Sequence, residues 1–155
     1  MEVVIEDLQK TVHLNPTKIG QIVKIILQNE GIQEACISIV FVSRQKMQSM
    51  NKKYLERHYA TDVLAFDLSD GRSGLKSRVP KNELVGDIVI STDAAVKNSQ
   101  LYKTLLHQEL TRYMIHGILH LLGYDDHKPN DIKKMRKKEE RILNGVAGWS
   151  KKVIG

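Results

Sequence analysis

The sequence predicts one α+β domain of about four strands and about five helices. At 155 residues, 41% apolar and 27% charged, the chain is long enough to bury one sizeable core and has the balance of an ordinary globular protein. Runs with the density of strands are interleaved with runs at helical spacing, and neither an internal repeat nor a second apolar block divides them. The single Cys36 permits no internal disulfide.

In chain order, EVVIE at 2–6 reads as a short strand. Asn15 as N-cap and Pro16 at the first helical position open a helix with an apolar face of Ile19, Ile22, Val23, Ile26 and Leu27, and Gly31 ends it. ACISIVFVS is β-branched and dense enough for a central strand, with Cys36 as a core thiol. SRQKMQSMNKKYL returns to helical spacing through Met47, Met50 and Tyr54. TDVLAFDLS and GDIVIS (86–91) are two more strands, and Thr92 or Asp93 caps a helix from Ala94. A long helix runs from about Leu105 to Leu122, and a basic one from about Asp131 to Leu143. Between the last two strands, SDGRSGLKSRVPKNEL (69–84) reads as an exposed loop carrying Arg72, Lys76, Arg78 and Lys81. Residues 1–145 form the domain; 146–155 are a basic, partly mobile C-terminal tail with Trp149 as its anchor.

No run approaches the roughly 18 apolar residues of a membrane span. The opening MEVVIEDLQK is acidic where a signal peptide would be basic. The expectation is a cytoplasmic protein with no membrane partner. The net charge of +6 resides in residues 128–155, which hold nine Lys or Arg against three Asp or Glu. A localised basic segment suits a polyanion such as nucleic acid, although charged terminal helices are often only solvated faces.

The chemistry concentrates in MIHGILHLLGYDDHK, 114–128. His116 and His120 interrupt an apolar helix at i and i+4, so both rings project from one side. Neutral imidazoles so placed can share one cation, for which Zn²⁺ is the usual taker. Gly123 can take the left-handed conformation that ends a helix, turning Asp126 or His127 back to a third position. Three protein ligands leave one coordination place for water, the pattern of a catalytic zinc. Core histidines bonded to backbone carbonyls are the bland alternative. Against it, two buried imidazoles without partners would cost about 1–3 kcal/mol each. Because Gly follows the first His, this is not the zinc-protease pattern whose Glu is the base. Glu109, two turns before His116, is a candidate base or supporting carboxylate, with a structural role equally open.

HGILHLLGYDDH resembles the H-G-x-L-H-L-x-G-Y-D-H signature of the YbeY family of bacterial endoribonucleases, or rRNA maturation factors. NKKYL followed by TDVLAF, similar to the family's T-N/D-V-L-S-F strand, and GDIVIS, similar to G-D-I-x-I-S, stand in the family's order. The likeness runs from about Asn51 to Ile142. It implies a small mixed sheet packed with helices and a metal, usually zinc, held at the helix bearing the two histidines. It also implies hydrolysis of single-stranded RNA in 16S rRNA 3′-end maturation and ribosome quality control, with the small ribosomal subunit and its proteins as partners.

Two positions depart from the pattern. The family's third His follows GYD directly, where this chain has Asp126, and His127 comes one place later. Met135 keeps the family's downstream spacing, so the register favours Asp126 with His127 a close rival; carboxylate oxygen and imidazole nitrogen both bind Zn²⁺ at about 2.0–2.2 Å. The Arg that relatives carry after the Tyr of N-x-x-Y is here Leu55. Arg57 is then the candidate phosphate contact, with His58 another or simply a surface residue. Thr61, Asp62 and Asp87 read as turn and strand-end residues shaping the cleft. Cations of the 69–84 loop would hold RNA by its backbone, and 5% aromatic content argues against extensive base stacking. Two other classes stay open: a different zinc hydrolase (peptidase or amidase), and a non-catalytic ribosome-assembly factor with a structural metal.

Overall fold

A computed structural model describes residues 1–54, 62–68 and 83–155. Four strands, β1 (Glu2–Leu8), β2 (Glu34–Val42), β3 (Val63–Asp67) and β4 (Glu83–Ser91), form one sheet in the order β1-β2-β4-β3. β1 and β4 both run parallel to β2, and β3 is antiparallel to β4. This is the mixed sheet of an α+β domain. Six helices accompany it among the described residues: α1 (Pro16–Asn29), α2 (Arg44–Tyr54), α3 (Thr92–Leu101), α4 (Leu106–Leu121), α5 (Pro129–Gly145) and the short α6 (Ala147–Ser150), followed by a 3-10 turn at Lys151–Val153. None of these helices is long and apolar enough to cross a membrane.

Alternation along the strands decides which face is covered. On β2, Ala35, Ile37, Ile39 and Phe41 point into the main core with Ile88 and Ile90 of β4. The apolar stripes of α1 and α4 close this face, including Ile19, Ile22, Met114, Ile115 and Ile118. On the opposite face a smaller cluster, Val42, Met47, Leu64 and Val89, lies under α2. That cover does not extend to the start of β2, so Cys36 is exposed. The expectation of a core thiol is corrected: density suggested a strand buried on both faces, but the side chain falls on the open one.

A second correction concerns the cap of α3. Ser91 is the N-cap, accepting from the Ala94 N–H, and Thr92 is already helical. Asp93 is occupied elsewhere, accepting from the Arg44 N–H at 2.7 Å and from Thr11 Oγ1 at 2.9 Å.

Residues 146–155, set apart above as a basic tail, pack onto the domain. Val153 is wholly buried, Ile154 forms an antiparallel bridge with Leu14, and the Asn15 N–H donates to the Val153 carbonyl at 2.8 Å. Ser150 Oγ sits 2.9 Å from both His107 Nδ1 and Thr111 Oγ1 on α4. Burial together with the nearby Lys151 cation lowers the His107 pKa, so this ring is neutral where it meets the hydroxyl. Trp149 is 40% exposed and carries Lys152 over its ring; Ser150 and Val153 make the buried contacts.

Candidate metal centre

α4 brings His116 and His120 together because residues four apart share a helix face. Their Nε2 atoms lie 3.0 Å apart, with ring centroids separated by 4.6 Å. The helix then stops at Leu121. Gly123 adopts φ +97°, with its N–H on the His120 carbonyl and the Tyr124 N–H on that of Leu119, each at 3.0 Å. This left-handed closure turns the chain back as the glycine suggested. Asp126 arrives with Oδ2 3.6 Å from His116 Nε2 and 3.4 Å from His120 Nε2. One donor atom from each of His116, His120 and Asp126 falls within 4.8 Å of the others. His127 meets the other side of that carboxylate: its Nδ1 lies 3.3 Å from Asp125 Oδ1 and 3.8 Å from Asp126 Oδ1, so Asp125, Asp126 and His127 form a second, more exposed group of donors.

The protons explain why such a group suits a cation. His116 Nδ1 is 3.0 Å from Oε1 of Glu139, a buried carboxylate on α5. That acceptor fixes the ring proton on Nδ1 and leaves Nε2 with a lone pair. His120, the partner ring, is about a quarter exposed. Its pKa is lowered by burial and then by the neighbouring His116, with Asp126 opposing, so the neutral ring prevails. Two imidazole nitrogens thus meet beside a carboxylate. Asp126 Oδ1, moreover, is buried without a hydrogen-bond partner. The two nitrogens and Asp126 Oδ2 make an N,N,O set that fits a divalent ion, and the same carboxylate's buried Oδ1 has no hydrogen bond to hold it otherwise.

The group opens into a cleft of about 380 Å³ between α4, α5 and β3, whose residues Val63–Phe66 form one wall with Asp62. Asp62, Asp125, Asp126 and Glu139 line it, against Arg112 as the one Lys or Arg among the described residues there. Tyr113 shares the wall, and Asn98 Nδ2 bridges its hydroxyl to Asp62 Oδ2. Burial first of all pushes the Tyr113 pKa up, so it stays a neutral phenol.

Of the residues singled out in the sequence, His116, His120, Asp126 and His127 come together here, and Asp62 lines the cleft as a shaping residue. Glu109 does not line it: its Oε1 accepts from Thr104 Oγ1 at 2.9 Å. Seven residues share a face with His116 but also place Glu109 about 10 Å back along the axis. The carboxylate that meets His116 is Glu139, hidden from sequence reasoning by its setting in a basic helix. Arg112 was also passed over, though its i−4 spacing from His116 was legible. Arg57, His58, Leu55, Thr61 and the loop cations Arg72, Lys76, Arg78 and Lys81 lie outside the described residues.

Glu139→Ala is expected to weaken divalent-metal affinity by roughly 10–100-fold, the usual effect of removing a ligand's outer partner. Glu139→Gln, still able to accept from Nδ1–H, should fall between. Competition against a chromophoric chelator measures both; parental affinity in Glu139→Ala would show that His116 is oriented by something else.

Residues 4–147 match the family described as Endoribonuclease YbeY. Relatives bearing that name include one from Syntrophus aciditrophicus, 35% identical over 96% of this chain and 92% of its own length, and one from Thermodesulfovibrio yellowstonii, 36% identical over 92% and 86%. A third, from Alkaliphilus metalliredigens, is 32% identical over 92% and 94%. The solution structure of TM1509 from Thermotoga maritima matches the fold with a TM-score of 0.62 at 21% identity, over 95% of this chain and 91% of that one. With its fold, its motifs and almost its whole length matched, the chain belongs to the YbeY endoribonuclease family.

Proposed function

We propose that this protein is a metal-dependent endoribonuclease, hydrolysing phosphodiesters of single-stranded RNA in 16S rRNA 3′-end maturation and ribosome quality control. Zn²⁺ is the proposed cofactor, the small ribosomal subunit the setting, and the cytoplasm the location. The observation that carries this reading is the convergence of His116 Nε2, His120 Nε2 and Asp126 Oδ2 at the floor of the cleft in a chain of this family. These three residues would hold the ion, with His127 alongside.

His116, His120 and Asp126 would hold a divalent ion whose chemistry would be to acidify a water and polarise a phosphoryl oxygen. Glu139 keeps the His116 proton on Nδ1, so that Nε2 stays available. Apolar Val63 and Ala65, on the face of β3 that packs with the main core, limit water on the β3 side of the cleft. Glu109 stands apart beside Thr104 and outside the cleft lining. Arg57 and the cations Arg72, Lys76, Arg78 and Lys81 are the proposed contacts to the RNA backbone, positioning it without reading its bases.

The test is cleavage of a single-stranded RNA, the matching duplex and casein by protein stripped with chelator and then reloaded with Zn²⁺. Cleavage confined to the single strand and dependent on reloading is expected. Its efficiency should fall steeply between about 50 and 200 mM salt as counterions compete for the phosphate contacts. Loaded protein that leaves RNA intact, or cleaves it equally at both salt concentrations, would overturn the proposal.

A further inference from the structure

The cleft presents an electrostatic problem to any phosphodiester. Its described lining offers four carboxylates and a single guanidinium, so an anionic strand approaching the histidines meets like charge on most sides. One divalent ion offsets only part of that. Among the described residues lining the cleft, Arg112 alone carries a permanent positive charge.

Its placement is also specific. Arg112, His116 and His120 are spaced i, i+4, i+8 along α4, so the guanidinium side chain rises from the same helix face one turn before the first imidazole. Arg112 is ion-paired with Glu140 Oε1 on α5, and the preceding residue, Glu139, holds His116 Nδ1. Adjacent carboxylates on one helix thus fix the guanidinium and the imidazole relative to each other. One carboxylate partner does not exhaust the five donors of a guanidinium, and the Arg112 side chain keeps a third of its surface open (33%).

We propose that Arg112 is a phosphate-binding residue of this cleft. Its free N–H edge grips the non-bridging oxygens of an RNA phosphate lying beside His116, and Glu140 is the positioning residue that aims it. The assignment deepens the endoribonuclease reading and rests on it. It gives this chain a guanidinium for the strand on the histidine helix itself, where the family's position after Tyr54 holds Leu55.

Zn²⁺-loaded full-length protein and its R112A, R112K and E140Q variants would be compared for cleavage of one single-stranded RNA across a salt series. For R112A, kcat/KM is expected to fall roughly ten- to hundredfold, as for a lost charge-assisted pair. The slope of log(kcat/KM) against log salt should flatten by about 0.7, the value of one phosphate contact on a single strand. R112K, which keeps the charge but not the fork, should recover only part of the loss. E140Q should raise KM with little change in kcat. Metal affinity, titrated separately, should stay parental in all three, which a merely structural role for the α4–α5 pair would not predict. An unchanged salt slope in R112A, with the parent protein cleaving normally, would overturn the assignment of Arg112 alone. A loaded parent that leaves RNA uncut would overturn the endoribonuclease reading and this assignment with it.

Discussion

His120→Ala is expected to abolish metal-induced stabilisation while leaving the metal-free fold intact. A ligand present at 1,000 times its Kd raises stability by about 4 kcal/mol, and that increment disappears when one of three donors is removed. Affinity should fall by more than the roughly 10–100-fold that an outer partner commands. The metal-free protein has little to lose, because the ring is about a quarter exposed and its Nε2 faces that of His116 across 3.0 Å. Truncation therefore removes a part-exposed ring rather than opening a core cavity. Thermal unfolding with and without added Zn²⁺, paired with elemental analysis and RNA cleavage, separates these effects. A variant that still binds one ion per chain with parental affinity would remove His120 from the site.

The same measurement discriminates the third donor. Asp126→Ala should lose metal, and Asp126→His, which restores the imidazole found in the family pattern, should retain it. His127→Ala should change little, because His127 is directed at Asp125 and is nearly half exposed. The opposite order, with His127→Ala losing the ion and Asp126→Ala keeping it, would exchange their roles.

Gly117→Val is expected to be the most destabilising single change next to the site. A Cβ at Gly117 would stand 2.6 Å from Ile88 Cγ2, inside van der Waals contact, and Ile88 is fully buried in β4. α4 thus approaches the sheet more closely than any residue larger than glycine allows. Forcing three extra carbons into that contact costs about 3 kcal/mol, at the upper end of overpacking penalties, against a small gain in helix propensity. For a chain of this size the midpoint should drop by roughly 6–12 °C. Metal affinity should weaken too, because His116 and His120 ride on the same helix. A midpoint within a degree of the parent would show that α4 can lift off the sheet without cost. The glycine between the histidines, which in sequence only argued against a zinc-protease base, is thus a packing device.

Much of this was legible in the chain because it depends on neighbours in sequence. The stripe from Ile19 to Leu27, the Asn15 cap with Pro16, the i,i+4 histidines and the left-handed Gly123 are all rules of local geometry, and they appear where the spacing put them. The family signature likewise lies within one helix and the turn after it. Local rules failed where two partners competed for one role. Asp93 could have capped α3, but the Arg44 N–H and Thr11, distant in sequence, claim it and leave the cap to Ser91.

What the amino-acid sequence by itself determined was therefore the four strands and the five longer helices, the helix that carries two imidazoles and the turn that follows it. Only the tertiary structure decided which face of β2 is left open at Cys36, that residues 146–155 pack against Leu14 and α4, and that Glu139 and Glu140 reach across from α5 to His116 and Arg112. The physical reason is range. Backbone propensity and periodicity act over a few residues, whereas burial, ion pairing and the fixing of an imidazole proton depend on groups 23 or more positions apart that meet only once the sheet has been covered.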